Sequence, residues 1–494
     1  MARAGAFDPD FGTATQALAA LRRGAISSRE LTAHVLARID KVNPALNCFV
    51  TVTRDEALTA AKRADAQRGK RGGKGVKLAP LHGLPIVVKD TYATKGVRTT
   101  AGAKLLEQHV PEEDAVVVAR LKAAGAVIVG KTNTPEWAAD WQAFNAVAGQ
   151  SNNPWDLART PGGSTGGGAA ALAAGLGFLE VGSDIAGSIR VPSHFCGIYG
   201  HKPTWNVVPL RGHIPPLPGM GGTYSELPVA GPMARSAEDL LLELGVLAGP
   251  DDADAVAYAY RLPAPRGKTL RDYRIGYVLD DPANPVDSAM KAVLADAIAA
   301  LRKAGARLTE GWPAGVDPIK QYQLYGWLLG AFFSMTLPDD EFERARETAA
   351  KGTDRAFTLG TAALHRDWLP QTGKRLAARA TWAEYFKTHD AFLLPTAFVP
   401  AFPHDHSMPM EARTLRPEGS GERPYNSMSR WISYATLTGC PATTVPVGRT
   451  RGGLPVGLQI MGPFLEDATP LDIAAKVAEV VGGFVPPPAL GGGR

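Results

Sequence analysis

Two short apolar runs constrain the fold more than anything else in the chain. Leu84, Pro85, Ile86, Val87 and Val88 form one, and Ala126, Val127, Ile128, Val129 and Gly130 form the other. Both are rich in β-branched side chains and lack polar alternation, the pattern of a buried strand. Residues 114–124 between them carry helical apolar spacing. Strand, helix and strand in succession predict an α/β sheet covered by helices.

The same reading predicts further strands at 178–182, 274–279, 391–394, 443–447 and 456–460. It predicts helices over 13–23, 28–42 and 56–67, over the alanine-rich 166–175, and over 287–305, with Ser27 or Ser28 as a cap for the second. Residues 209–232 and 400–425 are rich in proline and predicted to be irregular. Loops this long inside a compact domain are often lids or binding loops. No repeat and no break in composition marks a second domain. Residues 1–494 therefore read as one domain, with a helical N-terminal segment of about 10–70 packed on it.

With 45% hydrophobic and 20% charged residues, the chain has the balance of a globular protein whose core can bury a lysine. The net charge of +5 is small for 494 residues. The basic run from Lys62 to Lys74, with Lys70 and Arg71, has no interleaved aromatics and reads as a solvated loop, not a nucleic-acid surface. Cys48, Cys196 and Cys440 offer neither a disulfide framework nor metal-ligand spacing, so a reducing, cytoplasmic setting is expected. Residues 1–8 lack the apolar core of a signal peptide. The apolar stretch 322–335 is shorter than the roughly 18 residues a bilayer span needs. It is also too apolar for a free surface loop, and is expected to line or cover a substrate pocket.

Three segments carry chemistry. Lys89 ends the run Gly83-Leu84-Pro85-Ile86-Val87-Val88-Lys89-Asp90. A lysine at the end of a buried strand is desolvated, and burial lowers its pKa from the usual value of about 10.4. Once neutral it can act as a base; a lysine snorkelling beside Asp90 is the plainer alternative. Ser164 lies in Gly162-Gly163-Ser164-Thr165-Gly166-Gly167-Gly168, where glycines let the backbone turn tightly and approach a substrate. This segment also fits a helix cap. As a phosphate cradle it lacks the Gly-Lys-Ser/Thr ending. As a G-x-S-x-G elbow it lacks the preceding strand, because residues 152–161 hold two prolines and no alternation. Ser188 lies in Gly182-Ser183-Asp184-Ile185-Ala186-Gly187-Ser188-Ile189-Arg190. Small residues there let successive N–H groups turn toward one point, as an oxyanion requires.

Other positions have weaker claims. Asp184 and Arg190 flank Ser188 and are expected to order its loop. His194 and His201 are candidates for a histidine-dependent triad, although neither has an obvious orienting acid in the sequence. His404-Asp405-His406 reads as polar loop, with no H-E-x-x-H and no metal site expected. Trp137, Ala138, Trp141, Tyr325 and Trp327 are candidate substrate contacts, with Trp431 beside them, and core packing is the alternative for each.

Taken together, the three segments resemble the amidase signature family, whose members cleave amide-like bonds with a Ser–Ser–Lys triad. The resemblance extends to Gly130-Lys131-Thr132-Asn133-Thr134-Pro135-Glu136, Arg190-Val191-Pro192, Phe195-Cys196-Gly197, Lys202-Pro203-Thr204, Gly231-Pro232-Met233-Ala234-Arg235-Ser236 and Leu454-Pro455-Val456-Gly457-Leu458-Gln459, nearly the whole chain. It implies one α/β domain with a large central mixed sheet covered by helices on both faces. It implies that Ser188 is the nucleophile, Ser164 the bridging serine after a cis peptide, and Lys89 the base. The N–H groups of Ile185, Ala186, Gly187 and Ser188 match the family's oxyanion hole. Two positions depart from the family pattern. Ala186 stands where glycine is usual, and its methyl group would narrow the acyl site; Thr165 stands where a second serine is common.

The implied reaction is hydrolysis of a linear amide, anilide, carbamate or ester through an acyl-enzyme, without a cofactor. The expected partner is a small-molecule substrate, neither nucleic acid nor membrane, and a homodimer is compatible with it. Some family members are glutamine amidotransferase subunits that work on charged transfer RNA. Those usually carry glutamine after Ser-Ile-Arg and Tyr-Gly-Arg after Lys-Pro-Thr. Here Val191 and Trp205-Asn206-Val207 stand at those places, which argues for a free-standing hydrolase. Pocket walls are expected from 137–149, 205–225, 320–340 and 400–430, whose apolar and aromatic content favours apolar or aromatic substrates.

Overall fold

Both apolar runs are strands, and they pair. The structure, a computed structural model, describes residues 7–70, 78–220, 226–353 and 355–488. Phe49–Val52 (β1), Pro85–Lys89 (β2), Val127–Thr132 (β3) and Glu180–Asp184 (β4) make one end of the sheet. Tyr199–Lys202 (β5) and Val229–Ala234 (β6) follow. Arg274–Tyr277 (β7), Arg307–Glu310 (β8), Ala391–Pro395 (β9), Ala442–Arg449 (β10) and Pro455–Met461 (β11) complete it. Among the described residues these 11 strands form one sheet in the order β1-β3-β2-β4-β6-β5-β10-β11-β9-β7-β8. β2 runs parallel to both β3 and β4, and β7 runs parallel to both β8 and β9. The remaining pairs are antiparallel, so the sheet is mixed.

Successive residues of a strand point to opposite faces. Every residue of β2, β4, β6, β9 and β11 is buried, so both faces of the sheet are covered by helices. The N-terminal helices dock on this layer. Ala14–Arg23 starts at a Thr13 capping box, and its Ala14 and Thr15 amides both donate, at 2.8 Å, to the buried Asp239 carboxylate. Ser27 caps Ser28–Leu46 in a second capping box with Glu30. That helix runs through Pro44 and ends at Leu46, four residues beyond the predicted end at 42.

The structure differs from the sequence reading in definite places. The stretch predicted to be irregular, 209–232, ends inside β6. Gly231 and Pro232 disguise that strand, yet Pro232 sits opposite Val181 of β4, and pairing with β5 stops at Met233. The proline thus lies where only one side of the strand is paired. β5 and β8 are four-residue strands, too short for periodicity to register. The apolar stretch 322–335 belongs to the helix Pro318–Ser334, capped by Asp317 with proline in its first turn. Lys70 closes the helix Arg54–Lys70, while Arg71, Gly72, Gly73 and Lys74 lie outside the described residues, as do 221–225. No described helix is long and apolar enough to cross a membrane.

Candidate active site

Three chain segments converge at the ends of β2 and β4. Lys89 is the last residue of β2 and is fully buried. Its Nζ lies 2.6 Å from Ser164 Oγ and 3.0 Å from Ser183 Oγ, hydrogen-bonding distance from both. Burial lowers its pKa to about 7, against the opposing pull of the Glu180 and Asp184 charges.

Ser164 follows a cis Gly163–Ser164 peptide. At Gly163 a side chain would collide with the backbone of Asp140, Trp141 and Gln142, so this loop closes against its neighbour only with glycine. The Thr165 amide donates to the Ser188 carbonyl at 3.2 Å, which brings the two serine loops together. The helix Gly166–Ala173 begins at once and is buried along its whole length.

Ser188 lies between β4 and the helix Arg190–Cys196. Asp184 organises this turn. Its carboxylate accepts from the amides of Gly187 at 2.9 Å and Ile189 at 3.1 Å, and from Arg190 Nη2 at 2.8 Å. Burial raises the Asp184 carboxyl, but the Arg190 guanidinium and these hydrogen bonds outweigh it and hold the group below its usual range. Gly187 has φ of 89°, and a side chain there would also meet Val191 and Ile432.

One amide of the expected oxyanion set is engaged within this turn. The Gly187 N–H is committed to Asp184, whereas the amides of Ile185, Ala186 and Ser188 have no hydrogen-bond partner among the described residues. Two aromatic side chains hold the carbonyls on the other side of the loop. Tyr325 Oη donates to the Ile185 carbonyl at 3.0 Å, and Trp141 Nε1 donates to the Ala186 carbonyl at 2.7 Å. In a planar trans peptide the C=O and N–H point in opposite directions. Tyr325 therefore aims the Ala186 N–H, and Trp141 aims the Gly187 N–H toward Asp184.

Both serines open on a cavity of about 360 Å³. Trp137, Ala138, Trp205, Val208, Phe332 and Phe333 supply most of its apolar wall, and Pro209, Pro215 and Pro216 close one side. Arg211 and Asp251 lie at its edge and pair with each other at 2.7 Å. Trp137 and Ala138 have φ of 53° and 58°, the left-handed region that non-glycine residues rarely occupy. Hydrogen bonds from their amides to the Ala101 and Pro135 carbonyls, at 2.9 and 3.0 Å, hold them there. Such conformations gather where a binding site needs a side chain aimed against its preference.

Of the five candidate substrate contacts, the structure places Trp137 and Ala138 on the cavity wall. Trp141, Tyr325 and Trp327 are not part of it. Trp141 and Tyr325 hold the carbonyls of the Ser188 loop, and the backbone of Trp327 lies against Gly360 of the helix Ala356–Thr361. The apolar stretch reaches the cavity through Phe332 and Phe333 instead. Residues 400–430 are also displaced from the expected wall. They border a separate cavity of about 420 Å³ and brace the segment behind Ser164, with Arg413 Nη1 donating to Asp140 at 2.6 Å. Ala186, whose methyl group was expected to narrow the acyl site, is absent from the wall.

The histidine candidates are occupied elsewhere. His194 is fully buried, accepts from the Gly457 amide at 2.6 Å and faces the Val399 carbonyl at 3.2 Å. His201 has an acid after all. Asp467 lies 3.1 Å from its Nε2, but Thr443 takes Nδ1 at 2.8 Å, so neither nitrogen is left for a serine. His406 stacks on Phe144 with centroids 3.6 Å apart, and the described residues contain no metal-holding cluster. The sequence reading also misses Glu180. Thr132 donates to its carboxyl at 2.7 Å, and burial raises that group to about 8 against the pull of Thr132, Lys89 and Lys131.

The family model for amidases matches residues 30–471. The chain belongs to the amidase signature family. Relatives with different activities lie at similar distances. It is 33% identical over 481 residues to an acylamidase of Rhodococcus erythropolis, covering 95% of each chain. It is 36% identical over 490 residues to a glutamyl-tRNA(Gln) amidotransferase chain of Roseiflexus sp. (strain RS-1), covering 93% of this chain and 94% of that one. Among solved structures, a chain from a vestigial protein complex that reveals the evolutionary origins of an s-triazine catabolic enzyme superposes with a TM-score of 0.80. That chain is 28% identical, with coverage of 96% and 99%.

Tyr325 gives a direct test of how this amidase signature chain holds its Ser188 loop. Tyr325→Phe removes one hydrogen bond and little packing. A net hydrogen bond of about 1 kcal/mol corresponds to roughly a five-fold loss in kcat. The melting temperature is expected to fall by only a few degrees. An unchanged kcat in steady-state hydrolysis would separate Tyr325 from the loop's catalytic geometry.

Proposed function

We propose that this family member is a free-standing serine hydrolase that cleaves linear amide-like bonds, including anilides, carbamates and esters, through an acyl-enzyme. The reading rests on one observation above all: the buried Lys89 amine lies 2.6 Å from Ser164 Oγ, in a cavity shared with Ser188. Neutral Lys89 takes the Ser164 proton, Ser164 takes the Ser188 proton, and Ser188 attacks the carbonyl carbon. The developing oxyanion is received by the open amides of Ile185, Ala186 and Ser188. The relay then returns the proton to the leaving amine or alcohol, and water repeats the sequence on the acyl-enzyme.

The wall of Trp137, Trp205, Phe332 and Phe333 supports an apolar or aromatic substrate, and the Arg211 guanidinium at the cavity edge is paired with Asp251. A panel of aliphatic amides, aryl anilides, carbamates and esters tests the reading. Aryl substrates are expected to have the highest kcat/KM, and no turnover of any of them would overturn it. Within that panel, Phe332→Ala and Phe333→Ala are expected to shift the ranking. They should lower kcat/KM for a bulky anilide by about 10-fold, the scale of a lost apolar contact in a pocket, and spare a short aliphatic amide.

A second reading is favoured by the likeness to amidotransferase subunits. In that case the chain would act within a partner complex. Val191 and Trp205-Asn206-Val207 count against it. Copurification with a partner protein, together with glutamine-dependent activity only in that complex, would favour it.

A further inference from the structure

Lys89 has a second neighbour besides Ser164. Ser183 Oγ lies 3.0 Å from Nζ and 2.9 Å from Nε2 of His213, and the His213 Nδ1 lies 3.1 Å from the Pro215 carbonyl. A carbonyl can only accept, so Nδ1 carries the ring proton and Nε2 is the acceptor. The Ser183 hydroxyl therefore points its single proton at His213. Its oxygen can then only accept from Lys89, and one Nζ–H is fixed on it. A neutral amine has two N–H bonds and one lone pair. With one N–H held by Ser183, the lone pair is free to face Ser164.

We propose that His213 is a positioning residue for the lysine base, setting the direction of the Ser183 hydroxyl so that the Lys89 lone pair faces Ser164. This inference rests on the Ser–Ser–Lys reading given above. Without the imidazole acceptor, the Ser183 proton can turn to Nζ and occupy the lone pair that Ser164 needs. The surroundings pin His213 for this role. The Ile214 amide donates to the Thr91 carbonyl at 2.7 Å, and Ala93 donates to Gly212 at 2.9 Å, tying the histidine loop to the residues just after Lys89. Tyr92 meets the ring edge-on at 5.0 Å, and its hydroxyl donates to the Gly182 carbonyl, next to Ser183, at 2.7 Å. The charged and titratable groups near this hydrogen-bonded chain include Lys89, Glu180, Asp184, Tyr92, Lys131, Asp90 and Glu243, with Arg211 and Asp251 on the same cavity as His213. Burial and the Lys89 charge depress the His213 pKa to about 3, so the ring stays an acceptor through the neutral range.

His213 also lines the cavity, so the test must separate positioning from contact with substrate. Steady-state kinetics on an aryl anilide would compare wild type, His213→Phe, which keeps a ring but no acceptor, and His213→Gln, which keeps an acceptor near the Nε2 position. His213→Phe is expected to lower kcat about 10- to 100-fold, within the range of general-base effects, with KM changed less than about three-fold. His213→Gln is expected to recover most of that loss. In a Ser183→Ala background, where no competing proton exists, the His213→Phe penalty should shrink several-fold. Equal losses in Phe and Gln variants, a change mainly in KM, or an undiminished penalty beside Ser183→Ala would overturn the inference. Should His213→Phe fail to fold, His213→Leu replaces it with the same expectations. Lys89→Ala, measured in parallel, distinguishes the two levels: a fully active Lys89→Ala refutes the triad itself, whereas an inactive one beside a fully active His213→Phe refutes only the role of His213.

Discussion

Ser188→Ala is expected to abolish turnover of every substrate in the panel while leaving the melting temperature unchanged. The side chain is small and sits in a turn held by Asp184 and Arg190, so its hydroxyl contributes little to the fold. Members of a nucleophile relay act as a unit, and loss of the nucleophile in such systems lowers kcat by roughly 10⁶-fold. A serine-directed covalent inhibitor should label Ser188, as read by peptide mass spectrometry. Labelling at Ser164 instead would revive the elbow reading of its glycine loop, and residual activity above about 1% would remove Ser188 from the nucleophile's place.

The second large effect belongs to Lys89. Lys89→Ala is expected to lower kcat by about 10²–10⁴-fold or more, the contribution of a general base multiplied by the coupling within a relay. His194→Ala and His201→Ala should instead lower stability, because each ring bridges buried groups and neither has a nitrogen left for chemistry. The pH profile gives an independent check. In the proposed relay the working form of Lys89 is the neutral amine, and its pKa is lowered to about 7 by burial. The ammonium therefore dominates below that pH, so kcat/KM should rise about tenfold per pH unit up to it and flatten above it. An optimum on the acid side of neutrality would contradict a lysine base.

How much of this was legible before the structure depended on whether a residue's meaning lay along the chain or across it. β2 and β3 are readable because burial on both faces leaves an unbroken apolar run, and Lys89 inherits its desolvation from that run. The loops of Ser164 and Ser188 are readable because close approach demands glycine at Gly163 and Gly187. β6 is hidden because its glycine and proline mimic a loop, and only its register against β4 reveals a strand. Ser183 and His213 carry no local signal at all. Their pairing arises when a returning loop crosses the end of β2. Tyr325 and Trp141 stood out as aromatic residues, but composition cannot say whether an aromatic ring faces a substrate or a carbonyl. The commitment of the Gly187 amide to Asp184 is likewise invisible without the turn that makes it.

The helix Pro318–Ser334 carries Tyr325, which holds the Ile185 carbonyl, and Phe332, which walls the cavity. Those two residues lie two helical turns apart on nearly the same face, on a rod about 10 Å long between them. A rod this short moves as a unit. On the proposed reading, an acyl or amine group that pushed Phe332 outward would also pull on the Tyr325 hydrogen bond to the Ile185 carbonyl. On the proposed mechanism, fit against the wall would then be felt at the Ser188 loop too, so a poor fit would penalise the chemical step as well as binding.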